Sequence, residues 1–134
     1  MKFSLKSKGR SDVIDITAKV EKVLYESKIK EGMMFVFVPH STAAIAIMEY
    51  ESGVVRDFSR IMEEFAPASA VYEHHKAGND DNGAAHIKAA VIGPDVSVPI
   101  EGGELVLGPW QQIVLIDFDD RSRDREIFVK IISG

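Results

Sequence analysis

The stretch MMFVFVPHSTAAIAIME, residues 33–49, decides the fold. Met33 to Val38 is a continuous apolar run of the kind buried strands show, and Pro39 ends it, delivering His40 just past the strand. Ala43 to Met48 reads as another strand, carrying Glu49 out at its far end. Upstream, Lys2 to Lys8 alternates weakly and Val13 to Ile16 reads as a short strand. Thr17 is the expected N-cap of a helix with Val20, Val23, Leu24 and Ile29 at helical spacing, and Gly32 is the expected stop. Downstream, Ser52 to Phe65 is the second helix: Val54, Val55, Phe58, Ile61, Met62 and Phe65 form an apolar face opposite Arg56, Asp57, Arg60 and Glu63. Pro67 closes it.

From Ala66 to Ala85 no period is visible, and the richness in Gly, Asn and Asp predicts a long loop, the kind of segment that often carries function. Strands return at Val96 to Ile100, Glu104 to Leu107, Gln112 to Phe118 and Glu126 to Ile132, with a turn at Gly102-Gly103. The reading is α+β, one compact domain over residues 1–134 with two main helices.

Composition agrees with one domain: 134 residues, 46% hydrophobic and 28% charged, make a single well-packed unit. The formal charge of −5 lacks the basic stripe that nucleic-acid binders use to neutralise phosphates. Without cysteine, disulfides and thiolate zinc sites are excluded. The start, MKFSLKSKGR, has no apolar signal-peptide core, and no run approaches the roughly 18 apolar residues of a membrane span. The expectation is a cytoplasmic protein with no membrane partner.

The chemistry gathers around four histidines, all between His40 and His86. Imidazole is the commonest metal ligand and the side chain suited to proton transfer near neutral pH. Three imidazoles on separate segments can converge on a divalent cation with a position left open. The competing reading makes His40 and His86 hydrogen-bonded structural residues at strand and loop ends. Of the neighbours His74 and His75, at most one faces such a site, because adjacent residues of an extended segment point to opposite sides.

Asp80, Asp81 and Asn82 are candidate magnesium ligands or imidazole-orienting groups, or simply a turn. Glu49 is a candidate general base or an exposed strand end. Ser41 and Thr42 can donate to an anion, but the G-x-S-x-G context of a serine hydrolase is missing. Gln111 can reach a ligand. In Asp119-Asp120-Arg121-Ser122-Arg123-Asp124-Arg125, alternating charge is what a solvated hairpin shows. Arginine forks also bind phosphate, and Arg123 and Arg125, alternate residues of a strand, can share a face.

The order His40-Ser41-Thr42-Ala43-Ala44 with Glu49, Tyr72-Glu73-His74, Asp80-Asp81-Asn82-Gly83 through His86-Ile87-Lys88-Ala89, Gly103 with Leu105 to Gln111, and Arg123-Asp124-Arg125 resembles the YjbQ-like family from about Val13 to Ile132. Members of that family are commonly labelled secondary thiamine-phosphate synthase enzymes. The resemblance implies a β-sandwich core, a homotrimer, a metal site at His40, His74 and His86, and catalytic polar residues at Glu49, Asp81 and Asn82. Two features depart from the family pattern: Met48 where an Asn is usual, and Asp120-Arg121 in a loop one residue longer than usual.

The implied activity joins a hydroxymethylpyrimidine diphosphate to a thiazole phosphate. Ser41, Thr42, Lys88, Gln111, Arg123 and Arg125 are the expected contacts to this small phosphorylated substrate. Three imidazoles suit zinc better than the magnesium usual for departing diphosphate. The alternatives are therefore a zinc-dependent hydrolase of a small phosphorylated or amide substrate with Glu49 as base, and a non-catalytic trimeric ligand-binding protein.

Overall fold

The computed structural model describes residues 1–77 and 80–134. The elements run β1 (Lys2–Lys6), β2 (Asp12–Asp15), α1 (Thr17–Ser27), β3 (Gly32–Phe37), β4 (Ala43–Met48), α2 (Ser52–Phe65), α3 (His74–Ala77), α4 (Gly83–Ile92), β5 (Asp95–Glu101), β6 (Glu104–Leu105), β7 (Gln112–Asp117) and β8 (Asp124–Ser133). They form two antiparallel sheets, one of five strands in the order β1-β8-β3-β5-β6 and one of three in the order β2-β7-β4. The α+β class and the single sandwich domain are as expected. No helix among the described residues is long and apolar enough to cross a membrane.

The main core lies between the sheets. Met34, Val36, Val98, Ile127 and Val129 from the larger sheet meet Ile45, Ile113 and Leu115 from the smaller, and Ile16 just before α1 with Val20 and Leu24 within it complete the cluster. A second cluster covers the opposite face of the three-stranded sheet. There Ala44, Val114, Ile116 and Phe118 take Ala85 and Ala89 of α4, with Val55, Phe58 and Met62 of α2 packed alongside. With both faces covered, every residue from Ile113 to Asp119 is buried, which is why this strand reads as an unbroken run rather than an alternation.

Three sequence expectations change. The run Met33 to Val38 is covered on one face only: Met34, Val36 and Val38 are buried, whereas Phe37 is 42% exposed opposite Phe128 at 41%. Residues 83–92, the first three of which fall inside the predicted loop, are a third substantial helix. Its inward positions are Ala85 and Ala89, small enough for close approach to the sheet, while Ile87 and Val91 face out, so the sequence shows no apolar stripe. Finally, Ile16 rather than Thr17 occupies the N-cap of α1, and Thr17 is tied down by its N–H and hydroxyl donating to Asp15 Oδ1 at 3.0 and 2.6 Å.

Candidate functional site

Four segments meet at one end of the sandwich. The turn after β3 supplies His40, Ser41 and Thr42, the end of β7 supplies Asp117 and Asp119, the approach to β8 supplies Arg123 and Arg125, and the start of α4 supplies Asn82 and His86. Strand register fixes this convergence, because Ala43 pairs with Asp117 and Arg125 with Leu5.

At the base of the site is a buried charge network. Arg125 grips Asp117 with both prongs of its fork, Nε to Oδ2 at 2.6 Å and Nη2 to Oδ1 at 2.8 Å, and the two side chains are 5% and 0% exposed. Such bidentate, charge-assisted contacts are the strong kind. Ser7 donates to the same carboxylate. Arg125 Nη2 also donates to Thr42 Oγ1 at 2.8 Å, and that hydroxyl donates to Asp119 Oδ2 at 2.9 Å. Asp119 further accepts from Arg123 Nε at 2.9 Å, Asn82 Nδ2 at 3.3 Å and the Asp120 N–H at 2.7 Å. Burial alone would push the Asp119 carboxyl up, but the hydrogen bonds from Asp120, Thr42 and Asn82 outweigh it and hold the group well below the usual carboxylate range.

Above this network opens a cleft of about 450 Å³ whose walls include His40, Ser41, Asp80, His86 and Arg123. Burial, then the charge of Arg125, lowers the His40 pKa; burial, then the neighbouring His74, lowers that of His86. Both rings are therefore neutral at pH 7. His40 Nε2 accepts the Glu126 N–H at 3.1 Å, which leaves the proton of the neutral ring on Nδ1 as a donor. Arg123 is held by Nε alone, and among the described residues its terminal amino groups have no protein partner.

Each expected site residue has a definite place. His74 and His86 lie side by side with ring centroids 4.5 Å apart. His75 is the structural member of the neighbouring pair, accepting the Gly83 N–H at 3.1 Å on Nε2. The three expected ligands do not form a metal set as arranged: the Nε2 lone pair of His40 is used by Glu126, and among the described residues no three His, Asp or Glu side chains lie close enough together to hold an ion. Thr42 and Arg125 form part of the cleft wall but spend their hydrogen bonds in the buried network. Asp81 and Lys88 line a second cavity, and Asn82 forms part of the wall common to both.

Glu49 and Gln111 lie elsewhere. Seven residues of strand at roughly 3.3 Å each put Glu49 about 23 Å from Thr42, and Gln111 sits at the same far end, its Oε1 accepting the Gly108 N–H at 2.8 Å. Asp117, which sequence reasoning passes over, and Asp119, which it reads only as part of a charged hairpin, organise the whole site. The signal was present: a carboxylate inside the apolar run Ile113 to Phe118 has to be paired.

Comparison with known proteins places this arrangement among relatives. The model of the family described as UPF0047 protein YjbQ-like matches residues 1–134. A UPF0047 protein of Archaeoglobus fulgidus is 38% identical over 132 residues, 98% of this chain and 100% of the relative. UPF0047 protein YugU of Bacillus subtilis is 36% identical over 131 residues, 97% of this chain and 96% of its own. Among solved structures, an uncharacterised conserved YjbQ/UPF0047 protein of Clostridium acetobutylicum superposes with a TM-score of 0.90 at 40% identity, covering 98% of this chain and 99% of that one. A protein of unknown function from Sulfolobus solfataricus P2 gives 0.91 at 34% identity, covering 100% and 97%.

Proposed function

The chain belongs to the YjbQ-like UPF0047 family, and on that premise we propose that the cleft between His40 and Arg123 binds the diphosphate of a small substrate in a thiamine-phosphate synthase-type condensation. The observation that carries the reading is the unspent end of the Arg123 guanidinium, fixed through Nε on a buried carboxylate and lining a cleft with the Nδ1–H donor of His40 and the hydroxyl of Ser41. A planar fork with free donors fits phosphate oxygens.

In this reaction the bond from the pyrimidine methylene carbon to diphosphate oxygen breaks, its electron pair leaving with diphosphate. The thiazole nitrogen lone pair forms the new C–N bond, and no proton is consumed. Arg123 stabilises the charge that develops on the departing group, where donors fixed in advance contribute most. His74 and His86 are the imidazoles that would hold a divalent metal, whose charge would further stabilise the departing diphosphate. The test is incubation of the protein with hydroxymethylpyrimidine diphosphate and thiazole phosphate. Formation of thiamine phosphate and equimolar diphosphate, reduced by about tenfold or more in Arg123→Ala, is expected. Binding of the diphosphate substrate without turnover would instead make this a ligand-binding protein.

The working form is proposed to be a cytoplasmic homotrimer. Ile113 and Val114 are fully buried within the chain and are unavailable for contact, but Trp110 is 71% exposed, Val106 48%, Phe37 42% and Phe128 41%. A cyclic trimer contacts itself head to tail, and such a contact is the way for Glu49 and Gln111 of one copy to approach the cleft of another. Light scattering at micromolar concentration should give three times the chain mass of 14.8 kDa. A stable monomer would contradict it.

A further inference from the structure

We infer that the cavity on the other side of the Asn82–Asp119 wall is a second ligand site, which takes a small, apolar-bodied molecule carrying one anionic head group, carboxylate or phosphate. This goes beyond the condensation reading and does not depend on it. The cavity holds about 580 Å³, within the range of small-molecule sites, and is lined by Arg10, Ser59, Ala85, Lys88 and Phe118 among others. It sits under α2 and α4, so its apolar walls are Ala84, Ala85 and Phe118 of the second core layer.

The head-group chemistry follows from which polar groups are already satisfied. The Lys88 side chain is only 7% exposed, yet among the described residues its ammonium makes one hydrogen bond, to Glu63 Oε2 at 3.3 Å. An ammonium has three donors, and leaving donors unmet in a buried position is costly. Arg10 likewise spends only Nε, on the Asp120 carbonyl at 3.4 Å. The carboxylates around the cavity are mostly occupied: Glu63 by Lys88 and the Ala68 N–H, Asp119 by the network below the cleft, Asp120 by Arg121 at 3.0 Å. Asp81 alone of these acids has no protein partner among the described residues. The unmet donors of Lys88 and Arg10 call for an acceptor-rich guest.

One further observation marks the cavity. Gly9, Arg10 and Ser11 are consecutively left-handed, with φ of 79°, 57° and 62°. Non-glycine residues avoid that region, and such strain concentrates at functional sites. Here it holds Arg10 at the rim.

The experiment is titration of phenyl phosphate, benzoate and inorganic phosphate into the full chain, read by amide NMR shifts and calorimetry. Wild type should bind at least one ring-bearing anion more tightly than inorganic phosphate, with shifts at Ser59, Ala85 and Phe118, and the tighter of the two identifies the head group. Lys88→Met should weaken binding about tenfold or more. Ser59→Trp, which puts an indole into the cavity and keeps Lys88, should do the same should Lys88→Met fail to fold. Arg123→Ala should leave this affinity unchanged, which separates the site from the histidine cleft. Shifts centred on His40 and Arg123, no binding at millimolar ligand, or wild-type affinity in either cavity variant would overturn the assignment.

Discussion

Asp117→Ala should destabilise the protein by about 3–5 kcal/mol, the cost of leaving a buried charge without its partner. Asp117 is fully buried, and it answers both prongs of Arg125 and the hydroxyl of Ser7. Removing it leaves a guanidinium that is itself 5% exposed and whose one remaining carboxylate contact is the longer one from Nη2 to Asp119 Oδ2 at 3.7 Å. Against a typical total of roughly 5–15 kcal/mol this is a large share, and the melting temperature should fall on the order of 10 °C or more. The double variant Asp117→Leu with Arg125→Met should lose far less, because well-packed apolar replacements of a buried pair are often close to neutral. Denaturant titration of the single and double variants measures both. A single-variant loss below about 1 kcal/mol would place this pair with exposed ion pairs, which contribute little.

The same network sets the acid limit of the fold. The Asp119 carboxyl is held below its ordinary value when folded. Its contribution is therefore fully present above the unfolded value of about 3.9 and is lost as pH falls below that toward the folded value.

Gly9→Ala should cost about 2 kcal/mol or more and weaken anion binding at the cleft at the same time. Gly9 has φ of +79°, and a Cβ there would lie 2.8 Å from Asp119 O and closer still to Arg121 O. Both obstacles are backbone, so neither can rotate away. The strain of a left-handed residue adds to the clash, and the displaced segment carries Arg123. Gly102 is the control: its φ of +59° imposes the same conformational penalty, but no atom lies within 4 Å of its Cβ. Gly102→Ala should cost about 1 kcal/mol and leave binding untouched. Equal losses at the two positions, or normal diphosphate affinity in Gly9→Ala, would contradict the packing of residues 119–123 against the β1–β2 turn.

The fold was largely legible because its strands are marked by apolar runs and its turns by Gly and Pro. What stayed hidden has specific causes. α4 packs through alanines, so the period that betrays α2 is missing from Gly83 to Ile92. The outer face of β3 is apolar without being covered, and a run such as Met33 to Val38 looks the same in either case. The candidate site was legible in its residue types and illegible in its pairings. Arg125 reads as a phosphate ligand because its partners, Thr42 and Asp117, are brought to it only by the sheet. Glu49 reads as a neighbour of His40 because nine residues look close in sequence, and an extended strand carries them apart.

Calorimetric titration of inorganic diphosphate shows whether the cleft of His40, Ser41 and Arg123 binds phosphate oxygens. Arg123→Ala should raise Kd by about tenfold or more, the loss of charge-assisted hydrogen bonds. Arg123→Lys should recover only part of this, since a point charge cannot reproduce the planar fork. Unchanged affinity in both variants, with their folds intact, would return Arg123 to the role of a surface partner of Asp119 and contradict the account.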